Sequence, residues 1–205
     1  MSAIAIVDHG AGNLISIAQA LDTAGARVRI ADEPRGLDGA DALVLPGVGA
    51  TGAAMARLRS AGFVDALRGW DGPLLGICVG LQLLFATSDE DGGSCLELID
   101  GRVERLAAPR LPHIGWNELH DRHPAEPLFA GIATDATFYF VHSYAPAPDD
   151  PAVVIARATY EEPFVAAVRA GARVGVQFHP ERSGRHGTRM ISNFVHSVQL
   201  GEHAA

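Results

Sequence analysis

A cysteine between glycines, Gly76-Ile77-Cys78-Val79-Gly80, and a histidine two residues ahead of a carboxylate, Val176-Gln177-Phe178-His179-Pro180-Glu181, are the residues whose types and spacing could do covalent chemistry. A thiolate is a strong nucleophile, but a free thiol is mostly un-ionised at neutral pH. An imidazole that takes its proton, steadied by a carboxylate on the far ring nitrogen, makes it reactive. In an extended segment residues i and i+2 project to one side, so Glu181 can reach one nitrogen of His179 while the other is offered to Cys78. Pro180 biases His179 toward that extended state. Each piece has a duller reading. A cysteine between glycines is more often a buried small residue, and one His-x-Glu among nine histidines is usually a surface pair of little consequence. Their joint occurrence is what favours chemistry.

A nucleophile of this kind must be held at a sharp turn from strand to helix, where side chains at Gly76 and Gly80 would obstruct neighbouring segments and the new helix turns its N-terminal amides toward Cys78. The apolar run Pro73 to Ile77 predicts the strand, and Leu81 to Phe85 the first turns of the helix. Pro46-Gly47-Val48-Gly49 follows another strand, Ala42 to Leu45, and brings flexible backbone to the same sheet edge; Val48 N–H and Val79 N–H are the candidate oxyanion donors. Alone, that segment reads equally as a plain strand-exit turn.

Further strands are predicted at Ala3 to Val7, before the loop Asp8-His9-Gly10-Ala11-Gly12-Asn13 and a helix carrying Leu14, Ile17, Ala18 and Leu21, and at Arg27 to Ile30. Ala53 to Leu67 reads as one helix. Past Gly92 the chain is strand-rich, at Leu96 to Val103, Thr137 to His142, Val153 to Ala158, Phe164 to Val168 and Arg173 to Phe178. Met190, Ile191, Phe194, Val195 and Val198 form the stripe of a closing amphipathic helix. The fold class is α/β: three layers around a central mixed, mostly parallel sheet, in a single domain over residues 1–205.

Composition sets outer limits. With 48% hydrophobic and 20% charged residues the chain can bury a core and is not a disordered tract. A net charge of −8, with every basic residue an arginine, argues against a broad nucleic-acid surface. Two cysteines, no secretory leader and no long apolar stretch make the cytoplasm the expected compartment, with no membrane partner.

Taken in order, Pro46 to Gly49, Gly76-Ile77-Cys78-Val79-Gly80-Leu81-Gln82 and Gln177-Phe178-His179-Pro180-Glu181-Arg182-Ser183 make the chain resemble class I (triad) glutamine amidotransferases of flavodoxin-like fold. Gly12-Asn13-Leu14, Pro112-His113-Ile114-Gly115-Trp116-Asn117, Tyr139-Phe140-Val141-His142-Ser143-Tyr144 and Pro163 to Val168 make it most similar to the glutaminase subunits of imidazole glycerol phosphate synthases. The resemblance spans nearly the whole chain. It implies that Cys78 attacks the side-chain amide of L-glutamine, with His179 moving the proton and Glu181 orienting it. It also implies that Gly47, Gly49, Gln82, Glu90, His142, Ser143 and Tyr144 line the glutamine pocket, Glu90 suiting the ammonium of a free amino acid. No metal or cofactor is implied. The implied partner is a cyclase subunit of (β/α)8-barrel fold in a heterodimer, docking near Asn13, Trp116 and Arg182, the last grouped with Arg185 and Arg189. His9 stands where the family pattern has tyrosine, and Cys95 and Glu97 where glycines are commoner. Two other readings stay open: the glutaminase of a different synthase, such as one making pyridoxal phosphate or an aminobenzoate, and a silent regulatory module of the same fold.

Overall fold

Leucine-rich and β-branched runs with no polar break are suited only to strands covered on both faces. In the computed structural model, which describes residues 1–201, they occupy the middle of the main sheet. In chain order the elements are β1 (Ala3–Val7), α1 (Leu14–Thr23), β2 (Arg27–Ala31), β3 (Ala42–Leu45), α2 (Thr51–Ser60), α3 (Phe63–Arg68), β4 (Leu74–Ile77), α4 (Val79–Gln82), β5 (Phe85–Ser88), β6 (Gly93–Ser94), β7 (Ile99–Arg105), β8 (His113–Glu118), β9 (Thr137–His142), β10 (Tyr144–Pro148), β11 (Val154–Tyr160), β12 (Glu162–Ala170), β13 (Arg173–Val176) and α5 (Gly184–Leu200).

Seven strands make the main sheet in the order β11-β12-β13-β4-β3-β1-β2. Pairs from β13 to β2 are parallel, while β11 and β12 add an antiparallel edge. β1, β3 and β4 are buried along their whole length, whereas β2, at the edge, exposes Arg27 and Arg29, charges that discourage further pairing. From β1 the chain crosses through α1 to one side, and from β3 through α2 and α3 to the other. Right-handed crossovers in opposite directions put those helices on opposite faces, and the gap between β1 and β3 is the switch point at which such sheets open a crevice. The expected mixed, mostly parallel α/β sheet is therefore present. A second sheet, β10-β7-β5-β6, and the hairpin β8/β9 complete the chain. The stripe of α5 is buried as expected, and α5 packs on α1 and on the short 3-10 turn Pro180–Arg182.

Several local expectations are corrected. Ala53 to Leu67 is two helices, because the chain turns at Gly62 in a left-handed conformation (φ 77°) and delivers Phe63 into the core. Leu81 to Phe85 does not continue as helix. The Leu83, Leu84, Phe85 and Ala86 carbonyls instead accept N–H groups from Cys95 to Ile99, so a distant segment captures the acceptors and Phe85 starts β5. That capture also delays the strand expected from Leu96 until Ile99. β8 and β10 were not anticipated at all. Among the described residues no helix is long and apolar enough to cross a membrane.

Candidate active site

β4 carries the chain straight into Cys78, which adopts φ 55° and ψ −111°, a conformation costly for any residue with a side chain. What enforces it is close packing. A Cβ on Gly80 would lie 1.8 Å from the Leu45 carbonyl oxygen, and one on Gly76 2.8 Å from the backbone of Leu81. The elbow can therefore nest against the end of β3 only with glycine at position 80, and fold α4 back over β4 only with glycine at position 76. Cys78 N–H donates to Val176 O at 2.8 Å, which ties the nucleophile to the end of β13, the strand that leads to His179.

His179 and Glu181 meet, though by a different route from strand alternation: β13 ends at Val176, and Pro180–Arg182 forms a 3-10 turn capped by an extended His179. His179 Nδ1–H donates to Glu181 Oε1 at 2.9 Å, and the two side chains are 4% and 1% exposed. Ser183, which sequence reasoning missed, pins this turn. Its Oγ–H donates to His179 O at 2.6 Å and its Oγ accepts from Tyr139 N at 2.9 Å.

The other ring nitrogen, Nε2, is buried with no hydrogen-bond partner and shares a cleft with the Cys78 sulfur. Burial by itself lowers the His179 pKa, but the neighbouring sulfur and the Glu181 carboxylate outweigh it and hold it at about 10. The imidazole is thus charged at neutral pH, coupled to the sulfur ahead of any well-formed bond; catalytic hydrogen bonds of this type often tighten only around substrate.

The cleft has a volume of about 150 Å³ and is lined by Val48, Gly49, Cys78, Val79, Gln82, Glu90, Val141, His142, Ser143, Tyr144 and His179. Of the sequence-based pocket residues only Gly47 is not on its wall. Gly47 sits behind, where a Cβ would come 2.8 Å from both Val79 Cβ and Gly80 N, so that only glycine lets the segment carrying Val48 pack this closely on the elbow. Val79 is the first residue of α4, so its N–H has no partner within that turn.

Glu90 holds a position at the rim, with Oε2 accepting from Thr51 N at 2.8 Å at the start of α2, and Asp91 accepts from Gly52 N beside it. His142 Nδ1 donates to Tyr144 O at 2.8 Å, which leaves Nε2 to accept from His113 Nδ1–H at 3.1 Å. Burial chiefly lowers the His142 pKa, to about 3; the Tyr144 carbonyl opposes this and His113 and His179 add to it, so the ring is neutral. His113 in turn lies stacked on Tyr160 and Phe140.

The loop residue His9 is buried, and its Nε2–H donates to Pro46 O at 2.8 Å, joining the β1–α1 loop to the segment that carries Val48. Cys95 is buried and its thiol is pushed up to about 11, chiefly by that burial, far from nucleophilic character.

A sulfur held at a strained turn, an imidazole charged against a buried carboxylate and a small polar cleft are the parts of an acyl-transfer site. The class-I glutamine amidotransferase family model matches residues 5–198. The chain belongs to this family. A Synechococcus relative (strain JA-3-3Ab), named imidazole glycerol phosphate synthase subunit HisH, is 45% identical over 95% of this chain and 94% of its own. The HisH subunit of Methylococcus capsulatus is 44% identical over 95% and 96%. A solved glutamine amidotransferase structure superposes with a TM-score of 0.71 over 95% of this chain and 98% of its own, at 22% identity, a likeness of fold.

The proposed docking residues of this amidotransferase lie on the hairpin β8/β9, on the Pro180–Arg182 turn and at the start of α1. Trp116, 56% exposed, lies edge-on to Tyr139, over whose ring Arg182 is placed at 4.6 Å, and Ile114 is exposed on the same strand. Asn13 is exposed at the start of α1, which runs against the Pro180–Arg182 turn. Of the two arginines grouped with Arg182, Arg189 donates to Ala130 O and Arg185 to its neighbour His186.

Proposed function

We propose that this chain, acting as one amidotransferase domain over residues 1–205, is the glutaminase subunit of an imidazole glycerol phosphate synthase. The observation that carries the reading is the coupled Cys78-His179-Glu181 arrangement at a strained turn, opening on a cleft with Glu90 at its rim. Relatives bearing that synthase's name along nearly their full length support the choice of partner.

Glutamine enters with its ammonium toward Glu90 and its side-chain amide toward Cys78. The thiolate attacks the amide carbon, and the developing oxyanion is held by the Val48 and Val79 N–H groups, a donor of this kind being worth about 3 kcal/mol of barrier. His179, charged beforehand, gives its proton to the departing nitrogen, so ammonia leaves and a thioester remains. The neutral imidazole then takes a proton from water, which attacks the thioester; glutamate leaves and the thiolate is restored. Glu181 keeps the ring in the correct tautomer throughout.

Ammonia in bulk water at neutral pH is mostly ammonium, which is not nucleophilic, so a partner must receive it directly. The exposed Ile114, Trp116 and Arg182, with half-buried Tyr139 between them, offer an apolar and cationic docking face beside the catalytic turn for a cyclase subunit of (β/α)8-barrel fold. The complex belongs to the cytoplasm and uses no cofactor.

The test is glutamate release by the chain mixed with the cyclase subunit and its ligand. Wild type should respond to the partner and Cys78→Ala should release none. Stimulation only by the subunit of another synthase would overturn the assignment.

A further inference from the structure

The amide of Gln177 ends against the nucleophile. Gln177 is fully buried, one residue past β13 and two before His179, and its Nε2 lies 3.6 Å from Cys78 Sγ. Which end of the amide faces the sulfur is decided by its neighbours. The Tyr144 carbonyl can only accept, and it takes His142 Nδ1–H at 2.8 Å and Gln82 Nε2–H at 3.0 Å. Gln82 must therefore present its NH2 group there, and a second N–H of that group meets Gln177 Oε1 at 3.0 Å. With its oxygen committed to Gln82, Gln177 has only its NH2 to offer the sulfur. Near the same sulfur is the Val141 carbonyl oxygen at 3.9 Å, an acceptor suited to S–H. The thiol thus has an acceptor and the thiolate has a donor.

We propose that Gln177 is a catalytic residue of this site: its Nε2–H donates to the Cys78 thiolate once the thiol proton has passed to His179, stabilising the anion and fixing its direction of attack. A donor to an ionised group makes a bond roughly twice as strong as a neutral one, and the full burial of Gln177 strengthens it further, adding to the charge of His179 on the cleft side. Gln82 is then a positioning residue that keeps the Gln177 amide from turning over. The charged or titratable groups around the sulfur are His179, with Glu181 behind it, neutral His142, and Glu90 on the cleft wall. The inference rests on the glutaminase reading for what the thiolate attacks, and on the hydrogen bonds alone for who stabilises it.

Gln177→Met keeps the volume and removes the donor. Gln177→Glu keeps the oxygen that Gln82 uses and sets a carboxylate against the sulfur. Iodoacetamide alkylation of Cys78 is followed against pH by peptide mass analysis on the full chain, without partner or glutamine, with buried Cys95 as internal reference and circular dichroism to establish folding. Both variants should alkylate about tenfold more slowly on the acid limb of the rate profile, which is displaced by about one unit to higher pH. A folded variant whose profile superimposes on wild type overturns the proposal. Should neither variant fold, the nitrogen-15 side-chain amide signal of wild-type Gln177 decides: a signal that follows the Cys78 alkylation profile supports the contact, and one indifferent to it overturns it. Glutamate release by wild type with its partner reports on the glutaminase reading separately. Its absence alongside displaced profiles would sink that reading and leave Gln177 as the donor to the sulfur.

Discussion

Two histidines that share the cleft carry opposite linkage to pH. His142 takes up a proton in the unfolded chain below about 6.5 but in the fold only near 3, so the stability it governs is intact above 6.5 and lost as pH falls toward 3. His179 is raised from 6.5 to about 10, so its contribution is complete below 6.5 and lost as pH rises through 10. Urea midpoints measured across both ranges should therefore fall on each side. His142→Gln, which can still donate to Tyr144 O, should flatten the acid limb, and His179→Gln the alkaline one. If each substitution flattened the wrong limb, the assigned protonation states would be in error. At this scale the triad was legible in the residue types, whereas the roles of Ser183 and Gln177 were not: both stand inside the recognised motif, but their partners, Tyr139, Cys78 and Gln82, come from distant parts of the chain.

The elbow and the loop beside it act as elements whose shape depends on contact with each other. Gly80→Ala drives a Cβ into the Leu45 carbonyl, which backbone cannot evade as a flexible side chain could. We expect a loss of about 3 kcal/mol of stability by chemical denaturation, together with the loss of glutamate release. His9→Phe removes the donor to the Pro46 carbonyl and should cost about 1 kcal/mol. Hydrogen exchange should then quicken across residues 47–50 and stay unchanged in β4, the readout that separates a loosened loop from a weakened core. Helix α4 shows why local pattern fell short here. Leu81 to Phe85 has helical composition, but the carbonyls a helix would use are taken by the 95–99 segment, a competition invisible to any window of sequence.

Across the whole molecule the catalytic turn, the hairpin β8/β9 and the start of α1 converge on one face. Ile114 and Trp116 alternate outward on β8, and Trp116 is in register with Tyr139 on β9, so the strand period of two puts them together on the uncovered side. Trp and Arg at the centre of an interface commonly dominate binding. Trp116→Ala and Arg182→Glu should each lower partner-stimulated glutamate release about tenfold while thermal unfolding moves by no more than about 0.5 kcal/mol. A stimulation ratio equal to wild type in both would place the partner on another face.

What the sequence determined by itself is the chemistry: a thiol, an imidazole and a carboxylate in motifs with glycines where backbones must touch, and apolar runs too continuous for anything but central strands. Tertiary structure alone decided how those groups are used. It ended α4 after one turn, joined His179 to Glu181 through a 3-10 turn in place of a strand, and moved Gly47 behind the cleft wall. Each of these turns on which distant donor reaches a given acceptor first, and hydrogen-bond partners drawn from far along the chain leave no periodicity to read.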